Sequence, residues 1–165
     1  MKHWTWIVGL TILSAACGTP SPGLQVVDDT AEALGGRARV EAVRTLVLEG
    51  EGEQPNIGQN MAPDADLPVW TVTQYKRTLD LENGRMRVQA TRVPAFPFPV
   101  AEQRQDFGVD GEVAYTVNAN GMAARNSEQL VWDRRVELLH HPIAVVRAAL
   151  ADGARVSNLN ARRIQ

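Results

Sequence analysis

The chain has 165 residues, 44 % hydrophobic and 22 % charged, and a formal net charge of −2. That is ordinary globular usage, with room for one domain and a real core but not comfortably for two. The charge offers no basic face for a polyanion, which excludes nucleic acid from the expected partners. The one cysteine, Cys17, excludes an internal disulfide framework and a cysteine-rich zinc site.

Residues 1–16 start with Lys2, run apolar over 4–13 and close on Ser14, Ala15 and Ala16, directly ahead of Cys17. The run is shorter than the ~20 residues a spanning helix needs, and it has the form of a secretory signal peptide. A cysteine directly after small residues resembles the bacterial lipobox, where the thiol is diacylated and becomes the new N-terminus. Ser14 stands where that pattern most often has Leu. The alternative is an ordinary signal with an incidental cysteine, against which a free thiol in an oxidising compartment is a liability. The resemblance implies lipidation at Cys17 and anchoring in a membrane by more than one chain. Gly18 in place of Asp implies the outer membrane, facing the periplasm, rather than the inner one. Residues 17–29 read as a Pro-rich tether, and 30–165 as one β-rich α+β domain.

Residues 30–52 read as a short helix running straight into a strand. Asp28, Asp29 and Thr30 are candidate N-caps. Ala31, Leu34, Ala38 and Ala42 fall near helical spacing. Gly35 and Gly36 break the helix into two short pieces, because two glycines cost about 2 kcal/mol in a helix interior. Near Arg44 the period shortens to two and a strand runs through Gly52. Residues 54–68 form a long polar loop, either a solvated excursion or a lid or partner contact. Residues 69–81 alternate as a strand, with Val69, Thr71, Thr73, Tyr75 and Arg77 on one face and Trp70, Val72, Gln74 and Lys76 on the other. Asn83-Gly84 marks a tight hairpin with φ > 0 at both positions. Residues 85–93 return with Met86, Val88 and Ala90 inward.

The prolines of residues 94–100 forbid a central strand, leaving Phe96 and Phe98 as core plugs under a loop or as an exposed apolar lip. Strands over 103–109, 113–117 and 122–125, with turns at Asp110-Gly111 and residues 118–121, indicate a meander. Asn126 or Ser127 caps a helix bearing Leu130, Val136 and Leu139 on one side, with Trp132 and Leu138 at its margins. Pro142 opens a second helix with Ile143, Val146 and Leu150 on one face, ended by Asp152-Gly153. Residues from Arg155 onward begin as a strand could and then stop. The fold expected is an antiparallel curved sheet with an N-terminal helix and a helical pair, incomplete at the C-terminus.

Three stretches carry a resemblance. ALGGRARVEAVRTLVLEGEG resembles the opening of periplasmic lipoprotein-carrier (LolA-like) domains, in which a helix plugs a curved half-barrel. Together with a second stretch, Pro55-Asn56-Ile57-Gly58-Gln59-Asn60 followed by Pro63-Asp64-Ala65-Asp66-Leu67-Pro68-Val69-Trp70, and with the run RRVELLHHP at 134–142, it resembles the N-terminal region of exported metallo-β-lactamase-fold hydrolases. That resemblance spans about residues 31–158 and implies zinc in a longer parent protein. The zinc motif of that fold, H-x-H-x-D-H, does not occur in this chain, so the hydrolase activity is not carried over.

No other constellation supplies chemistry. His140 and His141 sit at a helix–proline junction, where capping or surface hydrogen bonding is favoured over metal binding. There is no G-x-S-x-G elbow and no phosphate loop. Asp28-Asp29 read as a cap, Asp64 and Asp66 lie in a loop, and Glu49, Glu51 and Glu53 share a solvent face.

Three readings follow. The first is a non-catalytic, membrane-tethered domain of an exported hydrolase, with no cofactor in this chain. The second is a carrier or sensor that binds an acyl chain or other apolar ligand against Trp70, Val72, Met86, Val88, Phe96, Phe98, Phe107 and Tyr115. The third is a structural envelope lipoprotein. Replacing Cys17 by Ser is expected to abolish incorporation of radiolabelled palmitate in cells; undiminished labelling would refute the lipobox.

Overall fold

The structure is a computed structural model that describes residues 22–58, 60, 62–95 and 101–157. The signal segment, Cys17, Phe96, Phe98 and the chain from 158 onward lie outside the described residues. The elements in order are α1 (Pro22–Ala33), α2 (Arg37–Ala42), β1 (Thr45–Pro55), β2 (Val69–Asp80), β3 (Arg85–Ala95), β4 (Gln103–Asp110), β5 (Val113–Val117), β6 (Ala123–Arg125), α3 (Glu128–Leu138) and α4 (Pro142–Leu150). The strands form one open, curved antiparallel sheet in the order β1-β2-β3-β4-β5-β6, an α+β meander as expected.

The first helix starts earlier than the tether reading allows. Residues 22–29 are helical, and Pro22 takes the first turn, where its missing N–H costs nothing. Gly23, Val27 and Ala31 are its buried residues, one per turn on a single face. A Cβ on Gly23 would stand 2.9 Å from the Val156 carbonyl oxygen, so this position is small because another segment lies against it. Asp28, Asp29 and Thr30 are therefore interior to α1 and do not cap it. Thr30 Oγ1 donates to the Val26 carbonyl (2.7 Å), Asp29 accepts from Gln25 (2.8 Å), and Asp28 faces Arg37 (3.6 Å). The break at Gly35-Gly36 is as expected. Both have φ near +100°, at 106° and 102°, a region an L side chain rarely adopts.

Two hydrophobic cores result. One gathers Val27, Ala31, Val40 and Val146, with Ile143, Leu150 and Val156 against them. So α4 packs on α1 and α2 and not on the sheet, and Val156 closes this cluster instead of starting a strand. Arg147 ties it down by donating to the carbonyls of Glu41 and Val43, the link into β1. The other core lies between the sheet and α3: Leu79, Met86, Val88, Val109, Ala114 and Val131, flanked by Leu46, Leu48, Phe107, Leu130 and Leu138. The anticipated helical pair is thus divided between two cores at the His140-His141-Pro142 junction. His141 Nδ1 accepts from the Ile143 N–H there, a capping role.

The turns follow their chemistry with one correction. The β2–β3 connection spans residues 81–84, and only Gly84 has positive φ, 64°. Asp80 makes the tighter two-residue turn unnecessary: its carboxylate accepts from the backbone N–H of Glu82 and Asn83 and from Asn83 Nδ2 (2.8 Å). At the other end β3 runs on through Pro94, opposite Trp70 of β2. The register with β4 ends at Arg92↔Gln103, so Pro94 needs no partner on that side.

Gly108 of β4 is sterically compulsory. A Cβ there would fall inside contact distance of the Met86 carbonyl oxygen and 2.6 Å from Tyr115 Oη. Gly108→Ala is expected to cost about 2–3 kcal/mol in urea unfolding; a loss below about 0.5 kcal/mol would show that the Met86 backbone and the Tyr115 ring both give way freely.

Candidate functional site

The sheet has two faces of opposite character, and a bulge in β2 decides which residues share each. Register is continuous from Val69↔Ala95 to Thr73↔Thr91, then resumes at Lys76↔Gln89, with an extra β2 residue between. Gln74 sits in the bulge at φ 52°, the one non-glycine with positive φ among the described residues. The extra residue inverts the alternation. Trp70 and Val72 precede the bulge and point to the same face as Tyr75, Arg77 and Leu79 beyond it, opposite Met86, Val88, Arg92 and Pro94. The two faces read from strict alternation therefore hold only up to Thr73.

Of the expected apolar lining, Trp70, Val72, Met86, Val88 and Phe107 do share one face. Tyr115 pairs with Gly108 and lies on the other. Met86 and Val88 are buried beneath Val131 of α3, so that half of the face is a filled core. Arg134, on the inward side of α3, lays its guanidinium 3.6 Å from the Phe107 ring centroid and pairs with Glu137 at 2.7 Å. That contact turns α3 away from the expected stripe. Val131 and Leu138 face the sheet, whereas Val136 and Leu139 face out beside Trp132, which is 64 % exposed. With Gly84 they line an open apolar hollow of about 340 Å³. Arg77 also reaches across the core, donating to Met86 Sδ (3.3 Å) and to the Glu137 carbonyl.

At the far end of this face Arg92 covers Trp70, 4.6 Å from its ring centroid, and donates to Gln103 Oε1 at 2.6 Å. Asn56 N–H donates to the Pro68 carbonyl at 2.8 Å, which closes the neck of the loop over residues 56–68.

The opposite face is polar and was not singled out from sequence. Arg87 grips Asp106 through two bonds, 2.9 and 2.7 Å, and Gln89 Nε2 adds a third at 3.2 Å. Arg87 hydrogen bonding holds the Asp106 carboxyl below the ordinary carboxylate value, and Asp106 in return raises Arg87. Burial pushes the Tyr115 phenol up. Beyond this network a cleft of about 740 Å³ opens, lined among others by Gln74, Lys76, Thr91, Arg104 and the β5–β6 turn at Asn118. Cross-strand alternation could have indicated these residues, because Lys76, Gln89, Thr91, Arg104 and Asp106 are the outward members of their strands.

Glu49, Glu51 and Glu53 are exposed on β1, with Glu49 bonded to Lys76 at 2.7 Å. Among the described residues no group of three His, Cys, Asp or Glu side chains could hold a metal, and no helix is long and apolar enough to cross a membrane. No family model, curated protein or solved structure matches the chain significantly.

The Asp106 contribution has a defined acid dependence. Its folded-state pKa is depressed, so the stabilisation is present above the unfolded value of about 3.9 and is lost as pH falls through the lower folded one. Arg87 is about half exposed, and solvent screening keeps the contribution to about 1 kcal/mol. Asp106→Asn is expected to lower urea stability by that amount at neutral pH, and the gap to wild type should narrow from about pH 4 downward. A gap that stays constant into acid would show that the carboxylate charge contributes nothing.

Proposed function

We propose that this chain is a membrane-tethered exported lipoprotein whose domain does no chemistry of its own and stands ahead of a metallo-β-lactamase-fold hydrolase. The zinc motif of that hydrolase lies outside these residues. Three sequence stretches motivate the link, and the second and third fall on the 56–68 loop with the start of β2 and on the α3–α4 junction. The observation that supports a non-catalytic domain over an apolar-ligand carrier is the seating of Val131 on Leu79, Met86, Val88 and Val109. A half-barrel carrier needs that space empty, and here it is core. The ionisable side chains of the polar face are largely committed to one another, as in the Arg87–Asp106 fork and the Lys76–Glu49 pair. Cys17 supplies the tether and the outer membrane the address in this reading.

The carrier reading keeps one favourable observation. Trp70 and Val72 extend the apolar face beyond the strands' contacts with α3. A LolA-like half-barrel with further strands after Gln165 would enlarge that end.

Two measurements separate the readings. Reading the gene for several hundred codons past Gln165 is expected to reveal H-x-H-x-D-H in frame. A stop codon with no such motif in any frame would remove the hydrolase. A dansylated fatty acid titrated into the purified protein is expected to show no saturable fluorescence gain; saturable binding abolished by Val72→Glu would instead establish the carrier.

A further inference from the structure

The polar cleft is a built concavity and not a gap between loops. Its floor is the outward face of β2, β3 and β4, and its rim is the β5–β6 turn. That turn is internally fixed: Asn118 Oδ1 accepts from the N–H of Asn120 and of Met122, both at 3.0 Å, and Gly121 N–H donates to the Asn118 carbonyl at 2.9 Å. On the floor, Thr91 Oγ1 donates to Gln74 Oε1 at 3.3 Å, which aims the bulged residue's amide across the strand.

Most charges around the cleft are already neutralised. Asp106 is held by Arg87 and Lys76 by Glu49. Arg104 is different. It stands opposite Thr91 in register, lines the cleft, and forms no hydrogen bond or ion pair among the described residues. Its guanidinium therefore presents a planar fork of donors, the geometry that matches a carboxylate. Glu102 and Asp106 also line the cleft, and Asp106 feels the Arg104 charge, so the surroundings disfavour a phosphate dianion more than a singly charged carboxylate. Also in the lining are the Gln74 amide hydrogens and the Gln89 carbonyl oxygen, which have no hydrogen bond among the described residues and offer a donor and an acceptor for ligand hydroxyls. The lining has no aromatic residue and few apolar ones beyond alanine and valine, so it offers little to peptide side chains.

We infer that this cleft binds a carboxylate-bearing sugar, with Arg104 gripping the carboxylate and Gln74 and Gln89 reading the ring hydroxyls. The inference does not rest on the hydrolase reading. An exported domain faces acidic glycans, and the cleft would hold the domain against them.

The test is a ¹H–¹⁵N NMR titration of the intact protein, purified in detergent micelles, with three probes: N-acetylmuramic acid, N-acetylglucosamine, which has a free 3-hydroxyl in place of the carboxylate-bearing 3-O-lactyl group, and the dipeptide acetyl-alanyl-alanine. N-acetylmuramic acid is expected to shift the amides of Thr91, Arg104 and Gly121 saturably, with Kd below about 1 mM. N-acetylglucosamine should bind at least about ten-fold more weakly, and R104Q should impose a similar loss on N-acetylmuramic acid. Arg104 is exposed and has no hydrogen bond or ion pair among the described residues, only a charge effect on Asp106, so R104Q should keep the thermal midpoint close to wild type. Equal binding of the two sugars, or unaltered binding by R104Q, would overturn the role of the carboxylate. A dipeptide that binds as tightly as the acidic sugar would overturn the sugar, and an absence of shifts with every probe would overturn the site.

Discussion

The rest of the sheet depends on one extra residue in β2. Side chains on a strand alternate strictly, so twelve continuous residues cannot present both Trp70 and Leu79 to one face. Both are buried on the same face. The bulge at Gln74 resolves the conflict at a cost of about 1–2 kcal/mol for one left-handed residue, offset by burial of two large side chains, each contributing about 1.5–3 kcal/mol. The same bulge bends the strand and strengthens its twist, and Gln74 itself lines the polar cleft on the outer face. One irregularity thus completes an apolar face on one side and opens a polar concavity on the other.

Much of the fold was legible from local chemistry, and the misses share a physical cause. Period-two patterns indicate strands over 69–81, 85–93 and 103–109, within two residues of β2, β3 and β4, and Gly35-Gly36, Ser127 and Pro142 punctuate the helices as their backbone preferences require. Residues 22–29 were obscured because α1 buries a glycine at position 23, which carries no hydrophobic signal; its smallness matters only once Val156 lies against it. The rotation of α3 was obscured because Arg134 takes an inward position, and arginine reads as solvent until an aromatic partner such as Phe107 is known. The bulge left no mark, because Gln74 is neither Gly nor Asn, the residues that usually announce a left-handed backbone. Each miss is a tertiary contact overriding a local rule.

The candidate site was harder to read for a related reason. Sequence singled out apolar residues, and five of the eight do gather on one face. What no pattern could say is that α3 would land on that face and fill it. Arg77 and Arg134 show how the landing is specified. One arginine rises from the sheet to the Glu137 carbonyl, and the other descends from α3 to Phe107. Apolar packing alone would let a helix slide along a smooth sheet; two arginines crossing in opposite directions give it one position.

That fixed landing bears on what the domain can do. A carrier must exchange a ligand-filled state for an empty one, so the element over its cavity has to move at small cost. Here, lifting α3 would expose Val131 and its sheet partners to water and break the Arg77 bond to the Glu137 carbonyl. Exposing buried apolar side chains costs about 1.5–3 kcal/mol each, which is large against the stability of a small domain. The polar face carries no such constraint. Its rim is held by the Asn118 side chain, Arg87 is paired with Asp106 and Lys76 with Glu49, and Arg104 lines the cleft. Under the reading proposed above, a ligand in that cleft would leave the α3-covered core as it is.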